Sequence, residues 1–276
     1  MMCRLLQVSK SGYYAWRTRP ESRRAKEDRE LTRVIRRLHA ESGGVYGSPK
    51  IHADLRDEGF KVGRNRVARL MRDARLRGCP KRRFRVKSSK SPGYLVTPNL
   101  LDQDFRAGRA NERWASDITY VHTTQGWLYL AIVMDLYSRR IVGWSMDRHM
   151  SRYLAIDALR MAIGRRRPGI GLIHHSDRGP QYISDDFLAE LKEHGMRSSM
   201  SGSGNCFDNA VVESFFGVMK RERVNRVSYR TRDEARADIF EYIEVFYNQK
   251  RRHGYLGNIS PAAFEKWACG LYETVH

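Results

Sequence analysis

Residues 114–147 read WASDITYVHTTQGWLYLAIVMDLYSRRIVGWSMD, and their pattern decides the fold class. Segments 114–123, 127–138 and 139–146 are rich in β-branched and aromatic residues, with turns at Gln125-Gly126 and Ser138-Arg139. Two such short connections predict three successive strands. Downstream the period changes. RYLAIDALRMAI (152–163) sets Leu154, Ala158, Met161 and Ala162 on one side of a helix, and GIGLIHHSD (169–177) reads as a short buried strand bounded by glycine. A helix over 183–194 and a strand over 196–200 follow. The glycine-rich turn SGSGN (201–205) leads into a helix over 208–222. TRDEARADIFEYIEVFYNQKRR (231–252) opens with a Thr231–Glu234 capping box and lines Ile239, Ile243 and Phe246 on one face. Three strands followed by alternating helices and strands predict an α/β domain with a mixed sheet. Trp114 and Trp127 are expected in its core.

The chain of 276 residues has room for this domain and a smaller one. Its 51 basic and 31 acidic residues leave a net charge of +20, unevenly spread. Residues 1–109 hold 28 basic and 11 acidic residues, while residues 110–276 hold 23 and 20. A solvated surface does not require such polarisation, whereas a polyanion partner does; RNA, DNA and anionic lipid all meet this test. The longest apolar run, Trp127 to Met134, is too short to span a bilayer, and no signal-peptide pattern opens the chain, so a cytoplasmic location is expected. Four scattered cysteines with no CxxC pair argue against a zinc knuckle or a disulfide framework.

In the basic third, EDRELTRVIRRLHAE (27–41) spaces Leu31, Val34, Ile35 and Leu38 as a helix. Ser48 is a candidate N-cap before Pro49, Ile51 and Leu55 form the buried stripe, and Gly59 stops the second helix. RNRVARLMRDARLRG (64–78) then turns Val67, Leu70 and Met71 inward and leaves Arg64, Arg66, Arg69 and Arg72 outward. This outline fits a helix-turn-helix that contacts DNA, or a plain bundle with a solvated basic face. The expected organisation is a basic DNA-binding module over 1–90, a linker over 91–108, the catalytic core over 109–250 and a tail over 251–276.

Three carboxylates carry the candidate chemistry. Asp117 sits inside an apolar strand, Asp177 ends the strand GLIHHSD, and Glu213 lies in the first turns of a helix behind the glycine-rich turn. A buried carboxylate is costly unless it meets a cation or a base. Individually the three also fit a partner for a buried arginine, a turn residue and a solvated helix position. Asn205, Asp208 and Asn209 precede the Glu213 helix, as caps or as residues that shape the site. His174 and His175 adjoin Asp177, as core groups or as aids to metal binding. Arg178 and Lys220 are candidate phosphate contacts.

The stretches WASDITY (114–120), HSDRGPQY (175–182), GNCFDNAVVESFFGVMKRE (204–222), YNQKRRH (247–253) and SPAAF (260–264) resemble the catalytic second-frame protein of the IS-three family of bacterial insertion sequences. SGYYAW (11–16) and VYGSPKI (45–51) extend the resemblance over almost the whole chain. It implies a ribonuclease-H-like mixed five-stranded sheet with flanking helices, preceded by a small all-α helix-turn-helix module. It implies a transposase or integrase with the acidic triad Asp117, Asp177 and Glu213 on two divalent metal ions, Mg²⁺ or Mn²⁺, which nicks strands with water and joins them with a 3′-hydroxyl. Lys220 matches a DNA-contacting lysine. The partners implied are double-stranded DNA (terminal repeats and target), a first-frame DNA-binding protein, fused or separate, and further copies of the chain on DNA, with no membrane. Residues 253–258 depart from the usual wording of the tail. The rival readings are a non-catalytic DNA-binding regulator and a nuclease that cuts without joining.

Overall fold

The computed structural model describes residues 2–80, 97–202 and 209–270, which divide into two compact units, residues 1–79 and 80–276. Of the expected linker over 91–108, residues 91–96 lie outside the described residues, whereas 97–108 belong to the second unit, with Leu101 buried in its core and Phe105 packed against it.

The first unit contains helices α1 (Met2–Leu5), α2 (Lys10–Thr18), α3 (Arg23–Glu41), α4 (Ser48–Asp57) and α5 (Arg64–Asp73). Leu31, Ile35 and Leu38 of α3 meet Ile51 and Leu55 of α4 and Val67, Leu70 and Met71 of α5 in a small buried core. Gly47, rather than Ser48, is the N-cap of α4, with proline in its first turn; Gly59, with φ of +84°, follows its end. Arg66 and Arg69 do not stand free. Arg66 Nε lies 2.7 Å from Asp28 Oδ1, and Arg69 pairs with both Asp28 and Asp73. Arg64 and Arg72 are exposed.

The second unit is built on β1 (Arg113–Thr123), β2 (Gly126–Asp135), β3 (Ile141–Asp147), β4 (Ile173–Ser176) and β5 (Arg197–Met200), in the sheet order β3-β2-β1-β4-β5. The β1–β2 and β2–β3 pairs are antiparallel hairpins, while β1–β4 and β4–β5 are parallel. This is the expected mixed five-stranded sheet. Residues alternate between its faces and feed two cores. Leu128, Leu130 and Ile132 pack against α8 (Ala210–Glu222) and α9 (Arg232–Phe240). Ala131 and Val133 pack against α6 (Arg152–Arg166) and α7 (Asp185–Glu193).

The capping box forms at the start of α9. A π-helical turn over Glu241–Tyr247 then shifts the buried set to Tyr242, Ile243 and Tyr247 and leaves Phe246 only partly covered, off the simple stripe expected for it. The stretch expected as a tail forms α10 (Pro261–Ala268), whose Glu265 reaches Arg166 at 2.6 Å and Arg140 at 2.7 Å. The YNQKRRH segment is anchored similarly: Asn248 exchanges two 2.9 Å hydrogen bonds with the Ile141 backbone, and Arg251 forms a buried pair with Glu222 at 2.6 Å.

Trp114 is buried as expected, but Trp127 is not: it remains 46% exposed. It sits near the β1–β2 turn, beyond the rung where β4 stops pairing with β1. Among the described residues, no helix is long and apolar enough to cross a membrane.

Helix α6 packs close against β3 at Gly143, where a Cβ would come within 2.1 Å of the Ala158 carbonyl oxygen and 2.7 Å of the Ala162 nitrogen. Gly143→Ala is therefore expected to destabilise the second unit by about 3 kcal/mol, read by urea denaturation. An unchanged midpoint would contradict this packing.

Candidate active site

The parallel register pairs Ala115 with His175. Carried two residues further, it sets Asp117 beside Asp177, which directly follows β4. Glu213 enters from the first turn of α8. Asn209 ties that helix to the sheet. It is buried and stands in the N-cap position without making a side-chain cap; its Nδ2 donates instead to the Ser116 carbonyl at 3.2 Å. Asn209 therefore does not cap the helix with its side chain. Asn205 and Asp208 lie outside the described residues.

The three carboxylates sense one another. Burial first, then the charge of Asp177, pushes the Asp117 carboxyl well above the usual range, and Glu213 adds to the rise. Burial also raises Asp177 and Glu213, the latter helped by the charge of Asp177. Asp177 is reached by solvent yet ringed by protein atoms, so it stands at the mouth of the site. One oxygen of each aspartate is held by a local amide: Ile118 donates to Asp117 Oδ1 at 2.7 Å and Gly179 to Asp177 Oδ1 at 2.9 Å. These anchors leave the other oxygens for a cation. As folded, no three His, Cys, Asp or Glu side chains among the described residues are gathered closely enough to cage an ion. Mutual repulsion of three carboxylates favours such spacing.

Tyr182 is a member of the site that sequence reading missed. Its hydroxyl is buried without a hydrogen-bond partner, and burial together with the charges of Asp117 and Asp177 pushes it well above its ordinary value. A buried, unpartnered hydroxyl beside two carboxylates fits a position completed by an ion and its water. Its place in HSDRGPQY was visible, but the arrival of Asp117 from a distant strand was not.

His174 and His175 belong to the core. His174 Nε2 lies 2.7 Å from Ser116 Oγ, and burial lowers its pKa to about 3, so the ring is neutral. The His175 ring lies between Ser199 and Ser201. Arg178 Nε donates to the Ser201 carbonyl at 2.7 Å. Lys220 places its Nζ 4.7 Å from the ring centroid of Tyr120, and burial lowers its pKa against the attraction of Asp117.

Residues 107–206 and 213–267 match integrase core domain families, and residues 26–84 match an HTH-like domain family. The chain is 44% identical to the transposase InsF of insertion sequence IS3A from Escherichia coli, over 96% of this chain and 92% of the relative. The chain belongs to the IS3 transposase family. The 31 kDa protein of insertion element IS600 from Shigella sonnei is also 44% identical, over 96% of this transposase and 97% of that protein. The magnesium-bound catalytic core domain of HTLV-2 integrase resembles the transposase with 17% identity and a TM-score of 0.44, over 56% of this chain and 97% of that one.

The link from α8 to β1 has a measurable consequence. Asn209→Ala is expected to lower stability by about 1 kcal/mol and to speed amide exchange in the first turn of α8. Unchanged exchange there would contradict the tie.

Proposed function

We propose that Asp117, Asp177 and Glu213 form the catalytic centre at which this transposase nicks and joins DNA strands at the ends of its insertion sequence. The observation that supports this reading most is the convergence of three carboxylates from β1, the end of β4 and the start of α8 on one another's charge. Hard oxygen donors suit Mg²⁺ or Mn²⁺, and two such ions would neutralise the carboxylates and activate water or a 3′-hydroxyl for in-line displacement. The amide-anchored aspartates fix their free oxygens in place. Glu213, with no hydrogen bond or ion pair among the described residues, is the ligand with freedom to close. Water as nucleophile gives nicking and a 3′-hydroxyl gives joining, so one site serves both steps.

The basic first unit supports double-stranded DNA, the terminal repeats and the target, as the partner. Within it, Arg64 and Arg72 are the readier phosphate contacts, because Arg66 and Arg69 are engaged by Asp28. Lys220 and Arg178 flank the carboxylates on the second unit. Action in the cytoplasm, on DNA, as several copies and with a first-frame DNA-binding protein, completes the proposal.

Asp117→Asn and Glu213→Gln are expected to reduce nicking and joining of labelled insertion-sequence ends by about 10³-fold or more while DNA binding persists. Near wild-type joining by either variant sinks the assignment. The raised pKa of Asp117 also makes a stability prediction. A carboxyl raised in the folded state stabilises the fold below its unfolded value, and this benefit is lost as pH rises through the folded value. Metal-free Asp117→Asn should therefore melt higher than the wild type near neutral pH, by about 2–4 °C per kcal/mol. Mg²⁺ should raise the melting temperature of the wild type only; an equal rise in the variant contradicts the site.

For the first unit, Arg64→Ala and Arg72→Ala should each reduce the slope of log K against log salt by about 0.9. Unchanged slopes remove these residues from the interface.

A further inference from the structure

Beyond Asp117, β1 runs past the end of β4. The parallel pairing stops at Ala115, and the next bridge on the described chain joins Thr123 to Tyr229. Between β1 and the segment that follows α8 lies a pocket of about 550 Å³, lined by Tyr120, His122, Trp127, Lys220, Asn225 and Ser228 among others. This is within the size range of small-ligand sites, roughly 300–1,000 Å³.

Its lining is unusual for a soluble surface. Tyr120 is 55% exposed and Trp127 46%, and His122 is exposed beside them. The Tyr120 and Trp127 ring centroids are 5.0 Å apart at 79°, and those of His122 and Trp127 are 5.2 Å apart at 77°. Perpendicular pairing leaves ring faces uncovered that a stacked pair would hide. The Lys220 ammonium sits over Tyr120, so a cation stands at the rim of the aromatic group. No packing need explains three exposed rings there, since Val121 and Leu128 already bury the opposite face of the hairpin.

We propose that this pocket receives an unpaired nucleobase of the DNA strand whose backbone lies at Asp117, Asp177 and Glu213, with Trp127 and its neighbouring rings as the stacking platform and Lys220 on the adjoining phosphate. Exposed aromatic faces beside a cation are how proteins hold single-stranded nucleic acid without reading its sequence, because every base has a π-face. Position supports the same occupant. Tyr120 is three residues along the strand from Asp117, about 10 Å at the usual strand rise and on the alternate face. The edge of β1 that β4 leaves unpaired, with Lys220 over Tyr120, connects the two for a DNA strand seated at the carboxylates. Capturing a base there would hold the end of the duplex open and steady the strand next to the reacting phosphate. The Lys220 ammonium at the pocket favours a nucleic acid over a neutral peptide as occupant.

The proposal rests on the reading of the carboxylates as the reaction centre, but its test does not require catalysis. In EDTA, the full chain is titrated with a blunt duplex of arbitrary sequence and with the same duplex carrying two unpaired nucleotides at one end. The wild type is expected to bind the forked duplex about tenfold more tightly, equal to about 1.4 kcal/mol. Trp127→Ala is expected to bring that preference below about twofold with blunt-duplex affinity almost unchanged, and Trp127→Phe to keep most of it. His122→Ala, at another exposed position, should weaken the preference in the same direction. A wild type without preference, or a preference that survives Trp127→Ala, overturns the proposal. Because no cleavage occurs in EDTA, a failed stacking test and a failed catalytic triad give separate results.

Discussion

Burial of Asp117, Asp177 and Glu213, which raises all three carboxyls, is the constraint around which the second unit's candidate site is built. The sheet brings the two aspartates together because β4 is short and parallel to β1, so both chains pass the same rung as β4 ends. Helix α8 adds the third carboxylate, held by Asn209 at the backbone of Ser116. Burial raises all three acids and like charge adds to the rise at Asp117 and Glu213, so the fold carries an arrangement that is costly without a counterion. The surroundings bear this cost with apolar cores on both faces of the sheet and with buried ion pairs at Glu222–Arg251 and Arg166–Glu265.

The carboxylates also organise their surroundings. Neutral His174, and His175 beside it, support the sheet beneath Asp177 through serine hydroxyls. The Tyr182 hydroxyl is buried without a hydrogen-bond partner beside the charges of Asp117 and Asp177. Lys220, on the same helix as Glu213, is drawn toward Asp117 and meets the exposed rings at the end of the β1–β2 hairpin. Acidic centre, cation and aromatic surface thus follow one another along one strand and one helix.

Much of this was legible in the sequence. Segments rich in β-branched and aromatic residues, joined by short turns, announced the three successive strands, and the capping box at Thr231 announced α9 where it occurs. Asp117 stood out because a charged residue in an apolar strand needs a reason. What stayed hidden depended on distant partners. Trp127 looked like core because periodicity cannot reveal that the neighbouring strand has already ended. Arg66 and Arg69 looked free because their partner, Asp28, lies on another helix. The contact made by Asn209 and the burial of the Tyr182 hydroxyl required β1 and α8 to be in place. The π-helical turn at Glu241 left no mark in the spacing, because an inserted residue shifts a stripe without changing its composition.

In the proposed function the first unit holds DNA and the second acts on it. Everything chemical still turns on whether the three acids take up metal. Crystals of the full chain soaked in Mn²⁺ and measured at the manganese absorption edge answer that directly. Anomalous peaks bound by the Asp117 and Asp177 carboxylates at about 2.0–2.2 Å, with Glu213 drawn in, are the predicted result. Strong peaks elsewhere with none at these oxygens would contradict it.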